Sequence, residues 1–223
     1  MKMSCKNIFK SYQDSLDSVG RDVLRDISFN LDSGDSLSIS GPSGAGKSTL
    51  LNIISGLDDA DDGNVYFDEL CFSNLTSPEK TNFRLQNISL IFQSFNLLKD
   101  FSVLENVMLP LIYKGLSKKD SKEYAISALD SVDLSNFKLS SVNTLSGGEA
   151  QRVGIARALA TNAKIILADE PTGNLDKETS NLILNNLVDV CRVNKISLIV
   201  VSHDDAVLSK LNTNRKIVDG KFI

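Results

Sequence analysis

The sequence predicts an α/β protein: a mostly parallel sheet flanked by helices, joined to an N-terminal antiparallel β part and interrupted by an inserted helical block. Three observations predict it. Short apolar strands alternate with amphipathic helices toward both ends of the chain, the pattern of parallel strands linked by helical crossovers. Residues 93–161 break that alternation and carry helix signals only. Near residue 41, between a strand and a helix, stands a glycine-rich turn of the pattern G-x-x-x-x-G-K-[ST].

At the N-terminus, Ser4–Tyr12 and Val23–Leu31 alternate apolar and polar residues as strands do, and the polar run Gln13–Arg21 reads as a hairpin extension between them. Asp32-Ser33-Gly34 is a turn leading into the strand Ser36–Ser40. The turn Gly41-Pro42-Ser43-Gly44-Ala45-Gly46-Lys47-Ser48-Thr49 runs into a helix, Lys47–Ser55, which Gly56 stops. An acidic loop, Asp58–Gly63, leads to a strand, Asn64–Phe67, then a helix, Pro78–Leu85, and a buried-type strand, Ile88–Phe92, ending at Gln93. In the helical block, Ser102 with Glu105 makes a capping-box start for Val103–Leu111. Ser117–Val132 is the next helix, and Ser146 with Glu149 opens Gly147–Ala160. Alternation then resumes: strand Lys164–Ala168, helix Lys177–Asn194, strand Ser197–Ser202, helix Ala206–Leu211, strand Lys216–Asp219. This predicts one domain over 1–223, with 1–92 and 162–223 as the core and 93–161 as a helical subdomain.

Composition narrows the function. At 223 residues the chain can bury about 70% of its unfolded surface in a single core. A net charge of −4 and a pI near 5.1 give no electrostatic footprint for nucleic acid. Cys5, Cys71 and Cys191 are far apart and odd in number, as free thiols in a reducing compartment are. No apolar run approaches the length of a membrane span. The expectation is a cytosolic protein, held at a membrane only through another polypeptide.

The glycine-rich turn carries the first chemistry. Its glycines let successive N–H groups point inward at phosphate oxygens, and the helix N-terminus adds its positive dipole end. Lys47 would reach the β- and γ-phosphates and the Ser48 hydroxyl would bind Mg²⁺. Asp169 and Glu170 end an apolar strand, where side chains face the ligand crevice of a parallel sheet. Asp169 there could hold the same Mg²⁺, and Glu170 could polarise an attacking water. His203, the sole histidine, ends another such strand, so a contact to the γ-phosphate or to Glu170 outweighs a plain surface role. Gln93 could touch Mg²⁺ or the attacking water, or be a polar strand end. Ser146, Gly147 and Gly148 sit with Glu149 at a helix N-terminus and form a second phosphate-binding surface. One γ-phosphate does not need two cradles from one chain, so two subunits would share each nucleotide.

Gly41–Thr49, Gln93, Leu145–Arg152, Lys164–Glu170, Asn174-Leu175-Asp176 and His203 resemble, in order, the Walker A, Q-loop, signature, Walker B, D-loop and H-loop of an ATP-binding-cassette (ABC) ATPase. The resemblance spans nearly the whole chain. It implies a P-loop NTPase (RecA-like) core and a head-to-tail dimer with two ATP at the interface, driving attached membrane subunits. Tyr12 matches the aromatic residue that stacks on adenine in this family; alone, it would read as an ordinary strand residue. Glu149 stands where the family often has glutamine. A finer resemblance rests on the stretch Ala168–Asp176, the polar extension after Tyr12 and Leu97–Leu111. It is to the bacterial group holding the lipoprotein-releasing ATPases, the MacB-type exporters and the cell-division ATPase FtsE. It implies membrane partners of the LolC/LolE type at the bacterial inner membrane, docking on the segment from Gln93 to Leu111. Of its apolar residues, Phe95, Leu97, Leu98, Phe101 and Leu104 divide between groove and core. Against a nucleic-acid ABC ATPase stand the single cassette, the lack of a long insertion and the acidic balance.

Overall fold

The computed structural model describes residues 1–13, 20–173, 175, 177–203 and 208–223. The chain order is β1 (Met3–Tyr12), β2 (Arg21–Leu31), β3 (Ser36–Ser40), α1 (Lys47–Ser55), β4 (Asp62–Phe67), β5 (Leu70–Cys71), α2 (Ser77–Asn87) and β6 (Ile88–Ile91). It continues with α3 (Val103–Tyr113), α4 (Lys118–Asp130), α5 (Gly147–Ala160), β7 (Ile165–Asp169), α6 (Lys177–Val193), β8 (Ser197–Val201), β9 (Thr213–Val218) and β10 (Lys221–Phe222). Most of the hairpin extension expected after Tyr12, Asn174 and Asp176 of the D-loop, and the first two residues of the helix expected at Ala206–Leu211 lie outside the described residues.

Two sheets carry the fold. One is antiparallel, in the order β2-β1-β4-β5; the other has six strands in the order β10-β9-β3-β8-β7-β6. In the second, every pairing from β9 to β6 is parallel and β10 returns antiparallel on β9. The mixed α/β architecture matches the sequence expectation. β5 and β10, two residues each, are strands the sequence does not announce. They exist only because β4 and β9 offer them an edge.

The parallel sheet separates two apolar cores, and its alternation decides which side chain enters which. Ile165, Leu167, Ile199 and Val201 join α1 and the antiparallel sheet in one core. Ile166, Ala168, Leu198 and Val200 face the other, with α3 to α6. Residues buried on both faces make the continuous apolar runs of β7 and β8. Register then aligns the working edge. Val201 of β8 pairs with Ile39 of β3 on one side and with Asp169 of β7 on the other. The carboxyl ends of three strands therefore lie level, and the residues just beyond them meet at one place.

The helices start where local chemistry starts them. Ser102 and Ser146 cap α3 and α5, with Glu105 and Glu149 completing the capping boxes, each worth about 1 kcal/mol to its helix. Gly56 ends α1 in the left-handed conformation. α3, α4 and α5 pack on one another, and α5 also lies against β6 and α6.

Candidate nucleotide and metal site

At the level edge of β3, β8 and β7 opens a cleft of about 380 Å³, lined by Tyr12, Arg21, Val23, Ser43, Gly44, Gly46–Thr49, Gln93, Asp169 and Glu170. The loop between β3 and α1 forms its floor, and two of its glycines have no substitute. A Cβ on Gly41 (φ +148°) would lie 2.2 Å from the Ile217 carbonyl oxygen. One on Gly46 (φ +99°) would lie 2.6 Å from that of Val23. The loop is thus wedged against β9 and β2 at both ends. Lys47, 8% exposed, sets its Nζ at the loop's centre, donating to the carbonyls of Gly41 (2.9 Å) and Pro42 (3.0 Å).

Opposite the loop stands the carboxylate pair. Burial pushes the Asp169 carboxyl above the usual carboxylate range; a hydrogen bond from Ser48 opposes the shift and the Glu170 charge adds to it. Its Oδ1 is buried without a hydrogen-bond partner. A buried, orphaned carboxylate oxygen beside a serine hydroxyl is a hard-donor set, and it fits Mg²⁺. Gln93 lines the same cleft two residues beyond β6, its Nε2 3.1 Å from where a Cβ on Gly173 would sit.

Glu170 takes a left-handed backbone (φ +45°), unusual for a residue with a Cβ, while its N–H donates to the Val201 carbonyl at 2.9 Å. Its two carboxylate oxygens lie 2.9 and 3.0 Å from His203 Nδ1. A carboxylate only accepts, so Nδ1 carries the proton. Of the two contacts expected for His203, the structure shows the one to Glu170. At the mouth, Tyr12 leaves 41% of its surface exposed and its hydroxyl donates to Asp58 Oδ2 at 2.6 Å.

Ser146 and its neighbours are elsewhere. Among the described residues none of 146–149 lines the cleft; Ser146 and Gly147 are exposed outside it. The Glu149 carboxylate folds back on the cap, accepting from Ser146 N and Oγ, both at 2.7 Å. Those bonds hold its pKa below the ordinary glutamate value. The capping box thus uses the N–H groups of Ser146 and Glu149, and only Gly147 and Gly148 stand between them. Gly148 packs toward Thr179 and Leu175, with a notional Cβ 3.3 Å from Thr179 Cγ2.

The structure also brings in residues the sequence did not single out. Arg21, the cross-strand partner of Tyr12, reaches the cleft. Arg157 of α5 donates from Nη2 and Nη1 to the carbonyls of Phe95 and Asn96, each at 2.7 Å, just after Gln93. No local pattern marks an arginine inside a helix as the clamp of a loop about sixty residues away; the consecutive left-handed Phe95 and Asn96 are visible only in the backbone.

The profile of the ABC transporter family matches residues 24–173. The chain is 41% identical, over 99% of its length and 94% of the relative's, to the lipoprotein-releasing system ATP-binding protein LolD of Pseudoalteromonas translucida. It is 42% identical to LolD of Treponema denticola, over 90% of this chain and 88% of that one. Among solved structures, the dimeric ABC transporter cassette MJ0796 superposes with a TM-score of 0.91 at 38% identity, covering 99% of this chain and 96% of that one. The same cassette is also known as a dimer in a post-hydrolysis state with ADP and Pi. CbiO1 of Clostridium perfringens, part of the ABC transporter complex cbiONQ, matches with a TM-score of 0.88 at 25% identity, over 99% and 86% of the two chains. Motif order, the geometry of one cleft and this near-complete overlap agree: the chain belongs to the ABC transporter family.

Proposed function

We infer that this chain is the ATP-hydrolysing motor subunit of a membrane ABC transporter complex that releases lipoproteins from the bacterial inner membrane. The observation that carries the reading is 41% identity with a lipoprotein-releasing ATP-binding protein over 220 residues. Its place is the cytoplasmic face, held by membrane subunits of the LolC/LolE type. Among the described residues, no helix is long and apolar enough to cross a membrane.

Each residue has a role in this reading. Gly41 to Thr49 cradle the phosphates through backbone N–H groups, with Lys47 exchanging its loop carbonyls for phosphate oxygens. Tyr12 stacks on adenine. Ser48, Asp169 and Gln93 are the donors for Mg²⁺, which when bound neutralises charge on the phosphate oxygens. Glu170 accepts a proton from the attacking water, and the Nδ1–H of His203 fixes the direction of its carboxylate. Ser146, Gly147 and Gly148 complete the site from a second copy, with Glu149 holding the Ser146 cap in place through its own N–H and carboxylate. The two glycine-bearing surfaces lie apart within one chain, and MJ0796 is a dimer.

Residues 93–161 act as the helical subdomain. Its boundary with the core holds a second groove of about 350 Å³, lined by α2, Leu90, Pro110, Tyr113 and Arg157, which suits a helix of the membrane partner. Leu104 is core, while Leu98 and Phe101 are exposed beside it.

The test is a Glu170→Gln chain purified with its membrane partners. It should hold ATP and retain under 1% of wild-type turnover, on the order of the loss from removing a catalytic base. Wild-type turnover in Glu170→Gln would remove the residue from its role. Co-purification with membrane subunits of a cell-division or exporter type would overturn the lipoprotein assignment while leaving the motor intact.

A further inference from the structure

The acidic loop between α1 and β4 is the one conspicuous stretch that the motor's motifs leave unused, and the structure gives it contacts. The Tyr12 hydroxyl donates to Asp58 Oδ2 at 2.6 Å. Asp58 Oδ1 accepts from Lys10 Nζ at 3.0 Å. Lys10 is itself buried, and its Nζ also donates to the Asp59 carbonyl at 2.7 Å and lies 3.5 Å from Asp61 Oδ1. Asp61 Oδ2 in turn accepts from Ser11 N (2.6 Å) and Ser11 Oγ (3.0 Å). The loop is therefore stitched to the last three residues of β1. The same Lys10 Nζ stands 5.1 Å from the centroid of the Tyr12 ring.

These contacts constrain the ring in two ways. A cation over one face leaves only the other for a flat ligand, and draws electron density toward the occupied side. The hydroxyl is tied at the far end, so the ring cannot swing about χ1 without breaking a short charge-assisted bond. Burial alone would raise the Asp58 carboxyl, yet the bonds from Tyr12 and Lys10 outweigh it and leave the group below its usual range, ionised and accepting.

We propose that Asp58, with Lys10, is a positioning residue for the nucleobase: it holds Tyr12 as a one-sided stacking platform and so sets affinity for the base without touching the nucleotide. The inference rests on the reading that Tyr12 stacks on adenine. Asp58 belongs to none of the motifs that mark the site, and its effect travels only through the Tyr12 ring and its hydroxyl.

The experiment separates base from phosphate. Dissociation constants for ATP and for inorganic tripolyphosphate are measured by calorimetry without Mg²⁺, on wild type, Tyr12→Phe, Asp58→Asn and Tyr12→Ala. Tyr12→Phe keeps the ring and removes only the tether, so it tests the idea even where Asp58→Asn disturbs the loop. Losing the bond in Tyr12→Phe should weaken ATP roughly five-fold, and Asp58→Asn, whose Oδ1 still accepts but carries no charge, should weaken it by less, with tripolyphosphate unchanged in both. If both variants bind ATP as wild type does while Tyr12→Ala binds it poorly, the platform needs no tether and the proposal fails. If tripolyphosphate weakens in parallel, Asp58 acts on the phosphate loop instead, and the proposal fails again. Unchanged ATP affinity in Tyr12→Ala would remove the stacking reading itself, and the proposal with it.

Discussion

Asp169 holds the sharpest electrostatic conflict in the cleft. Its side chain is half-buried, its Oδ1 is buried without a partner, and Glu170 adds a like charge beside it. A folded-state pKa above the unfolded value means that the folded chain binds the extra proton. Asp169 therefore adds to stability as pH falls through the raised pKa and costs stability above it. Asp169→Asn should accordingly be more resistant to thermal unfolding than wild type at neutral pH without divalent cation, and the difference should shrink under acid. Adding Mg²⁺ should raise the melting temperature of wild type and not of the variant. Scanning calorimetry at two pH values, with and without Mg²⁺, checks both signs; equal Mg²⁺ stabilisation of the variant would take Asp169 out of the donor set. The sequence shows this residue because a strand end with two carboxylates is a local pattern. It does not show the left-handed Glu170 or the Tyr12–Asp58 bond, which depend on how distant segments meet.

Helix α5 does two jobs at the scale of an element. Its N-terminus presents the capped Ser146 surface, and ten residues after the first glycine Arg157 grips the turn just past Gln93. One helix thus joins the Ser146 surface, proposed above to meet a second copy, to the loop carrying a cleft residue. The grip is a fork of two N–H donors onto two carbonyls, which a lysine cannot reproduce. Arg157→Lys should cost about 1–2 kcal/mol of stability by leaving one carbonyl unmet, read by urea denaturation. It should also raise hydrogen exchange in residues 94–97 more than in α1. Uniform protection across both would show that the turn holds itself. The helices were legible because their caps are local chemistry: Ser102 with Glu105 and Ser146 with Glu149 start α3 and α5 where the sequence says. The two-residue β5 and β10 were not, since a strand that short is defined by the edge it joins. Of the helix expected at 206–211, the described part is helical at Leu208 alone, and residues 209–211 turn toward β9 instead.

At the scale of the whole molecule, the proposed division of the site between two copies determines what a single copy can do. The cleft is lined by Lys47 and Glu170, while Ser146 is exposed and outside that lining. If each nucleotide is gripped by the cradle of one copy and the Ser146 surface of another, lesions in the two surfaces must complement in trans. A Lys47→Ala chain should be inactive because its cradle is broken, and a Ser146→Arg chain inactive because its helix end is blocked. In a mixed dimer both lesions fall into one site, leaving the other whole. Random pairing makes half the dimers mixed, each with one intact site of two, so an equimolar mixture should recover about a quarter of wild-type activity. The Ser146→Arg chain alone should still bind ATP with wild-type affinity, because nothing in its own cleft has changed. A mixture as silent as its components, or a Ser146→Arg chain that hydrolyses ATP unaided, would place the whole reaction within one subunit and leave the second glycine surface without a catalytic partner.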